Sequence, residues 1–392
     1  MGPLSACRVI SVHPSLAGEV RKFGKFGEVC YSCGTCTISC DLTTDAAPFP
    51  RRPIQYAVLG LKDPLLESLE PWLCHDCGDC STKCPQQAGP RESMATLRRY
   101  LTGQYDWTGL SAKIYKSKAW AVGSLAVAGL LVVFLMVTYH YSIVGMSFSD
   151  LTSQSMGLAH MFPTITYFTL AVIFIPWIFL ISGAVRMHRF AMGGRTGARI
   201  PASLYLSEVK TLLFHVVTQE RIRKCPEKTH KERHLKHWMI AAGCFIILVL
   251  LVFFLRFFQT DDIHPITHPQ RWLGYIATAF LLYGSVDVLI GRLEKKKEIF
   301  KHSEREDYTF PVLLLLVTAT GIAVHILRYM GLAFAAHSMY FAHMVIAVPF
   351  LVIEVPFGKC SHMIYRPLAI YFQSVKEKAS ARETRKEELE AA

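Results

Sequence analysis

Two stretches decide the fold of this chain: CYSCGTCTISC at 30–40 and CHDCGDCSTKCP at 74–85. Each has three cysteines within seven residues and a fourth cysteine four residues later. Thiolates at this spacing hold [4Fe–4S] clusters, and where two such stretches share a domain the fourth cysteine of each binds the other cluster. We therefore predict two clusters. Their ligands are Cys30, Cys33, Cys36 and Cys84 for the first, and Cys74, Cys77, Cys80 and Cys40 for the second.

Other uses of cysteine fit this pattern poorly. Structural zinc usually takes two separated C-x2-C pairs, and a disulfide framework needs an oxidising compartment and a secretory signal. We find no apolar signal segment in the first hundred residues. Asp41 follows Cys40 where the pattern has proline, so the exit from the first stretch differs while its ligands are complete. We predict a bacterial-ferredoxin-like, α-helical domain with two [4Fe–4S] clusters over residues 1–112.

The rest of the chain is strongly apolar. The sequence has 392 residues, is 52% hydrophobic and carries a formal net charge of +12. Beyond Lys118, six apolar stretches come close to the ~20 residues that a helix needs to span a bilayer. We predict a mainly α protein with a membrane domain over 113–366 and a charged tail over 367–392. The predicted spans are 119–144, 162–185, 237–258, 272–290, 310–330 and 336–357.

Basic residues predict the orientation in the membrane. Lys and Arg are frequent before the first span, in the long connection 186–236 and in the tail, whereas 147–160 and 259–270 contain none. Because cytoplasmic loops carry the excess of Lys and Arg, we expect a multi-pass inner-membrane protein whose N-terminal domain, long loop and C-terminus are cytoplasmic. Ile200-Pro201 opens an amphipathic, interfacial helix in that loop. Anionic lipid explains the net charge, and no nucleic-acid partner is needed.

Four histidines lie at two depths of the predicted spans. His237 begins the third span and His362 follows the sixth, both at the cytoplasmic face, while His325 and His343 lie towards the outer face. Ionisable side chains are costly inside a membrane and need a reason. Two low-spin haems b each take two axial imidazoles. The sequence therefore predicts a six-helix transmembrane bundle that holds two haems b through these four residues.

The outer haem has alternatives to His325 as its second ligand. His140 at the end of the first span and His160 at the start of the second are the reserves. His337 is placed too near the outer surface to be preferred. For any single membrane histidine, a hydrogen bond between helices is the competing explanation.

Several motifs resemble known redox subunits. CYSCGTC at 30–36 and CHDCGDC at 74–80 resemble the small iron–sulfur subunit of heterodisulfide reductase. PFGKCSH at 356–362, with His343 upstream, resembles the haem b subunit of respiratory nitrate reductase. Fused in one chain, the two parts resemble the membrane subunit of the quinone-interacting membrane-bound oxidoreductase complex of sulfate reducers.

This resemblance implies a set of partners. In that family, the membrane subunit sits with two soluble flavin- and iron–sulfur-containing subunits and links the menaquinone pool to adenylylsulfate reductase in sulfate respiration. One position departs from the pattern. The nitrate reductase relative carries haem ligands ten residues apart on one helix, and the position that matches after His237 is Ile247. The fourth ligand must therefore come from elsewhere, and His325 is our choice.

We therefore expect a membrane electron-transfer subunit of a quinone-linked oxidoreductase. It would pass electrons between menaquinone or menaquinol and the soluble subunits through two haems b and two [4Fe–4S] clusters. No residue of the chain is assigned to catalysis on a soluble substrate. One alternative is a membrane subunit of a heterodisulfide- or sulfite-reductase-linked complex, and another is a haem-free membrane anchor for an iron–sulfur domain.

Overall fold

The fold is helical throughout the part of the chain that the structure describes. This computed structural model describes residues 11–27, 29–44, 47–145, 147, 150, 152, 158–193, 200–223, 230–255 and 262–391. Within these ranges helices and turns alternate and no strand is formed. The prediction of a mainly α protein is confirmed.

One compact unit is made of Met1–Lys116, Ser182–Val217 and His362–Ala392. Its N-terminal part consists of short helices, and the longest begins where Gly89 takes a left-handed φ of 59° before Pro90. Proline suits the first turn of a helix because its φ is already fixed and its missing N–H would have no partner there. These helices are α1 (Leu16–Arg21), α2 (Thr35–Ile38), α3 (Arg51–Val58), α4 (Lys62–Glu67), α5 (Glu70–Leu73), α6 (Asp79–Thr82), α7 (Pro90–Tyr105) and α8 (Leu110–Lys116).

Longer helices follow in the rest of the chain. They are α9 (Lys118–Thr138), α10 (Leu158–Met192), α11 (Ala202–Thr218), α12 (Glu220–Arg223), α13 (His230–Phe253), α14 (Pro269–Glu294), α15 (Glu298–Lys301), α16 (Arg305–Tyr329), α17 (Ala333–Pro349), α18 (Val355–Phe357) and α19 (His362–Ala391). A π-helical segment, Tyr139–Ile143, extends α9, and another, Phe350–Glu354, joins α17 to α18.

Among the described residues, six helical segments are long and apolar enough to cross a membrane, by length and composition. Each overlaps one predicted span, and the largest differences are at ends next to the basic connections, where polar flanks continue the helix. Lys, Arg and Glu are good helix formers, so a helix continues past the apolar stretch that marks it in the sequence. The predicted end of the third span at 256–258 lies outside the described residues. The segments are Lys118–Ile143, Thr166–Met192, Lys231–Phe253, Arg271–Glu294, Arg305–Tyr329 and Ala333–Phe357.

The second compact unit, Ser117–Ile181 and Thr218–Ser361, contains most of these apolar helices. Val132 and Met136 of α9 pack with Val348 of α17, and Leu281 of α14 packs with Leu314 of α16. Gly129 brings α9 close to α17, because a side-chain carbon there would lie 3.4 Å from Val345. Small residues at such interfaces let apolar helices approach each other closely in a membrane.

Large aromatic side chains fill the core of the first unit. Trp72, Tyr100, Tyr105 and Tyr365 are each no more than 2% exposed. Aromatic residues dominate the energetics of such cores because each buries a large apolar surface. Since Tyr365 comes from α19, the C-terminal helix shares one core with the cysteine-bearing helices.

The long loop and the tail predicted from the sequence are largely helical in the structure. The amphipathic helix predicted after Pro201 is α11, and the predicted tail belongs to α19. The compact unit that holds the cysteines also takes in 182–217 and 362–392, which the predicted boundaries at 112 and 366 separate from it. These predicted boundaries stay a prediction. The physical reason for the different grouping is the core shared across the three segments.

A buried carboxylate joins α11 to α19. Glu208 of α11 is only 1% exposed and accepts hydrogen bonds from Ser374 and Lys378 of α19, as well as from Thr211 at 2.8 Å. The bonds from Lys378 and Ser374 lower the pKa of Glu208 from its ordinary value of 4.5 to about 2. Buried charges are tolerated when they are paired and hydrogen-bonded in this way.

Replacing Lys378 with methionine should loosen α19 from α11. The variant leaves the Glu208 carboxylate buried without its cation, which should destabilise the contact by about 1–3 kcal/mol. Hydrogen–deuterium exchange of 362–391 measures the loss, and Arg382→Met on an exposed part of α19 is the matched control. Because the folded-state pKa is lowered, the contact is fully stabilising above pH 4.5 and weakens as the pH falls towards 2. Equal exchange in the two variants would contradict the assignment.

Candidate functional site

Both cysteine stretches adopt the same local backbone. Ser32 and Asp76 have φ of 56° and 61°, and Gly34 and Gly78 have φ of 86° and 98°. Left-handed φ is uncommon for serine and aspartate and readily adopted by glycine. One short helix, α2 or α6, begins directly after each glycine. The chain therefore curls between the cysteines of each stretch instead of running straight.

Four cysteines line one cavity. Its walls include glycine, alanine and isoleucine as well as thiols, and Cys84 of the second stretch joins three cysteines of the first. Within this group Cys36 is buried and Cys33 is exposed. The structure thus brings together the four residues predicted as ligands of the first cluster, which are Cys30, Cys33, Cys36 and Cys84.

The remaining four thiols form a second group. Burial, followed by the charges of the Cys74 and Cys77 thiols, raises the pKa of Cys40 to about 12. Burial also raises the pKa of Cys80, followed by the charges of Cys74, Cys77 and Cys40. Cys40 of the first stretch therefore lies within electrostatic range of three cysteines of the second. This group has the composition predicted for the second cluster.

The chemistry of both groups fits [4Fe–4S] clusters. Burial raises the pKa of Cys36, and the neighbouring thiols of Cys30, Cys84 and Cys33 raise it as well. Thiolates crowded in this way need a positive charge, which iron supplies when it binds and deprotonates the thiol. In the described part of the chain no three Cys, His, Asp or Glu side chains could hold a single metal ion. Ligands at the separate corners of a cluster agree with that finding.

Basic side chains surround the turn of the second stretch. Arg91 Nε and Arg98 Nη2 lie 3.1 and 3.4 Å from one carboxylate oxygen of Asp76. The backbone N–H of Asp76 donates to Cys74 Sγ at 3.4 Å. Hydrogen bonds to ligand sulfurs and nearby positive charge are the protein's means of adjusting a cluster's potential. Asp76 therefore both holds the turn and places a donor at a predicted ligand.

The second group also contacts α19. Arg366 Nη2 donates to the backbone carbonyl of Cys74 at 3.0 Å. The ring centroid of Tyr365 lies 5.4 Å from that of Trp72, two residues before Cys74. Neither contact was predicted from the sequence. No local pattern signals a contact between positions so distant in the chain.

The two predicted ligands of the inner haem lie on different helices. His237, in α13, has its Nδ1 2.6 Å from Oε1 of Gln219. His362 is the first residue of α19. They belong to different compact units, and their pairing stays a prediction.

The two predicted outer ligands have different surroundings. His343 Nδ1 lies 2.9 Å from Thr320 Oγ1. In His325, Nδ1 lies 3.3 Å from Arg271 Nη1 and Nε2 lies 3.1 Å from the hydroxyl of Tyr275. An axial ligand gives one ring nitrogen to iron and uses the other for a hydrogen bond. Both nitrogens of His325 are engaged with protein groups, which argues against the predicted axial role.

Two other histidines have the arrangement of an axial ligand. His140 Nδ1 lies 2.9 Å from the carbonyl of Met136, and His337 Nδ1 lies 2.8 Å from the carbonyl of Ala333. His337 is only 5% exposed, and its Nε2 is buried without a hydrogen-bond partner among the described residues. Judging depth by distance from the end of a span missed this burial. The side chain of His160 lies outside the described residues.

Comparisons with known proteins agree with the cysteine chemistry. Residues 29–88 match the 4Fe-4S dicluster domain family. The chain is 32% identical over 102 residues to a heterodisulfide reductase subunit-like protein of Archaeoglobus profundus, which is 26% of this chain and 46% of that protein. It is 33% identical over 104 residues to an iron-sulfur subunit of CoB–CoM heterodisulfide reductase from Methanocaldococcus jannaschii, 24% of this chain and 55% of that protein.

The chain thus spans about half the length of the curated relatives it matches. No solved structure matches it significantly. The N-terminal part is an iron–sulfur domain like that of these heterodisulfide reductase subunits, and six long apolar helices accompany it. These findings support a membrane-associated iron–sulfur protein.

Single cysteine variants should show that each cluster takes a ligand from both stretches. Cys84→Ala and Cys40→Ala should each lower the non-haem iron content from about eight to about four atoms per chain. Electron paramagnetic resonance should show that Cys84→Ala loses the same signal as Cys30→Ala, whereas Cys40→Ala loses the other. Cys244→Ala, in α13, is the control and should keep both signals. Loss of one and the same signal from the Cys84 and Cys40 variants would refute the crossed assignment.

Proposed function

We propose that this chain is the membrane electron-transfer subunit of a quinone-linked oxidoreductase, in which two [4Fe–4S] clusters and two haems b connect a quinone pool with soluble subunits. One observation carries the proposal. Arg366 donates a hydrogen bond of 3.0 Å to the carbonyl of Cys74, a predicted cluster ligand. Arg366 stands four residues after His362, a predicted haem ligand, so one helix supports both sites.

The clusters, when bound, exchange single electrons, and the protein supplies ligands, burial and orientation. Cys74 is 6% exposed, and Trp72 and Tyr365 pack around it, so this side of the second group is kept from water. Arg91 and Arg98 form ion pairs with Asp76, two residues after Cys74, and so bring positive charge near the second group. Cys33 gives the first group its exposed side. A soluble subunit would approach there.

For the haems we propose His237 with His362 nearer the clusters and His343 as a ligand of the outer haem. Haem b, when bound, accepts and releases single electrons at its iron. Gln219 orients the ring of His237 through Nδ1, and Thr320 does the same for His343. This is how a second partner fixes an axial imidazole. Because both ring nitrogens of His325 have protein partners, we propose that the fourth ligand comes from the two reserves, His140 and His160, or from His337.

The finer identity rests on the family resemblance. We propose menaquinone as the quinone and soluble flavin- and iron–sulfur-containing subunits as the partners, with adenylylsulfate reductase as the enzyme they serve in sulfate respiration. The distribution of Lys and Arg supports a cytoplasmic position for residues 1–112, the connection 186–236 and the tail. This topology would put the clusters on the same side of the inner membrane as those partners.

A second candidate has support of its own. The relatives from Archaeoglobus profundus and Methanocaldococcus jannaschii are named as heterodisulfide reductase subunits or proteins like them. We infer as the alternative a membrane subunit whose soluble partner reduces a disulfide. Affinity purification from native membranes distinguishes the two, because adenylylsulfate reductase or a heterodisulfide reductase catalytic subunit would accompany the chain.

A reduced-minus-oxidised visible spectrum tests the haem assignment. The purified chain should show a b-type α-band from about two haems. His237→Ala and His362→Ala should each halve that band and remove the same component in a redox titration, whereas His343→Ala should remove the other. His302→Ala, on an exposed loop, is the control. Absence of the α-band from the unmodified chain would exclude the haems and favour the alternative of a haem-free membrane anchor.

Replacing Arg366 with glutamine tests the link between the sites. The variant removes a charged donor from the Cys74 carbonyl, and a hydrogen bond of this kind contributes about 1.5–3 kcal/mol. We expect both cofactors to remain while electrons pass between clusters and haems several times more slowly, as measured by stopped-flow spectroscopy after chemical reduction. Arg382→Gln is the control on the same helix. An unchanged rate in the Arg366 variant would remove the main support for the proposal.

A further inference from the structure

A polar cluster lies between the beginning of α14 and the end of α16. Arg271 and Tyr275 occupy the first two turns of α14, and His325 and Tyr329 occupy the last two turns of α16. His325 is the centre, with Arg271 Nη1 at 3.3 Å and the Tyr275 hydroxyl at 3.1 Å. The ring centroid of Tyr329 lies 4.7 Å from that of His325, and the Arg271 guanidinium lies 5.2 Å from the ring centroid of Tyr329.

This cluster has many hydrogen-bond donors and few acceptors. Arginine offers five N–H donors and no acceptor, and a tyrosine hydroxyl offers one O–H. The Tyr329 hydroxyl donates to the backbone carbonyl of His264. Arg271 Nε is buried without a hydrogen-bond partner, and no carboxylate of the described residues pairs with this guanidinium. A ligand that only accepts hydrogen bonds would complement the cluster.

The cluster is also accessible from the lipid side of the helices. Both helices belong to the apolar segments long enough to cross a membrane. Arg271 and His325 stand within two turns of a helix end, and each turn rises ~5.4 Å, so the cluster lies near the level of lipid headgroups and not at the centre of the span. Apolar side chains next to it are exposed: Trp272, Leu273, Ile276, Ile326 and Met330.

A purely structural role explains the cluster less well. A tie between two helices needs one donor and one acceptor, and Tyr275 with His325 already supplies that pair. It does not need Arg271, whose Nε is buried without a hydrogen-bond partner. Because a buried donor without a partner is destabilising, a ligand that accepts hydrogen bonds is the better explanation for Arg271.

We propose that Arg271, Tyr275, His325 and Tyr329 form the binding site for the head group of a lipid-soluble quinone. This inference rests on the proposed function and locates its quinone. The two carbonyl oxygens of a quinone accept hydrogen bonds and donate none, which matches the donors of Arg271 and Tyr275. The ring of Tyr329 supplies an aromatic face, and the exposed apolar side chains lead to the lipid in which the quinone's tail dissolves. His325 thereby positions Arg271 and Tyr275 at the quinone, since each of its ring nitrogens holds one of these two side chains.

Binding of the fluorescent quinol analogue heptyl-hydroxyquinoline N-oxide tests the site. The full chain, purified with its partners in lipid nanodiscs, should quench the probe's fluorescence on binding. Tyr275→Phe keeps the ring against His325 and removes the hydroxyl, so it should raise the dissociation constant about five- to tenfold, the effect of one lost hydrogen bond. His325→Gln should weaken binding at least as much while the haem content stays unchanged. Tyr283→Phe, further along α14 and exposed, is the matched control.

Each result has one meaning. Weaker binding in Tyr275→Phe and His325→Gln, with full haem content, supports the site. Loss of one haem from His325→Gln, with unchanged binding by Tyr275→Phe, overturns it and restores His325 as an axial ligand. Probe binding by the unmodified chain that neither variant alters places the quinone elsewhere, so the site fails and the proposed function stands. No binding by the unmodified chain overturns the quinone-linked function itself.

Discussion

Thiolates that lie side by side in a buried site repel one another, and the N-terminal fold has to overcome that repulsion. Cys36, Cys74 and Cys80 are buried, and burial together with neighbouring thiols raises the pKa of each. Iron reverses this balance by holding the sulfurs ionised, and metal binding then contributes directly to folding. The left-handed turns at Ser32 and Asp76 bring the sulfurs to positions where such a centre can use them. The stability of the domain is therefore linked to its cofactors.

Local chemistry made much of this protein predictable from its sequence. The spacing of the eight cysteines predicted two mixed groups, and Cys84 and Cys40 each lie with cysteines of the opposite stretch in the structure. The six apolar stretches predicted six long helices, and all six are present. Both patterns act over short distances, because a cluster ligand set and a membrane span are each written within a few tens of residues.

Contacts between distant segments were not predictable in the same way. Neither the aromatic pair of Trp72 with Tyr365 nor the joining of α11 to α19 through Glu208 has any sign in the local sequence. The histidines show the same limit. The position along the helix favoured His325 over His337 as a haem ligand. In the structure, both ring nitrogens of His325 have protein partners, and His337 is buried. Which way a side chain faces depends on its neighbours in three dimensions.

The two cysteine groups of the iron–sulfur domain differ in exposure to solvent. Cys33 in the first group is open to solvent, while Cys74 in the second is buried in one core with Trp72, and its backbone carbonyl accepts a hydrogen bond from Arg366. A soluble protein can thus come and go at one face without disturbing the helix fastened to the other. Exposure and attachment are thus separated within a single small domain, because the open cysteine and the cysteine tied to α19 belong to different groups.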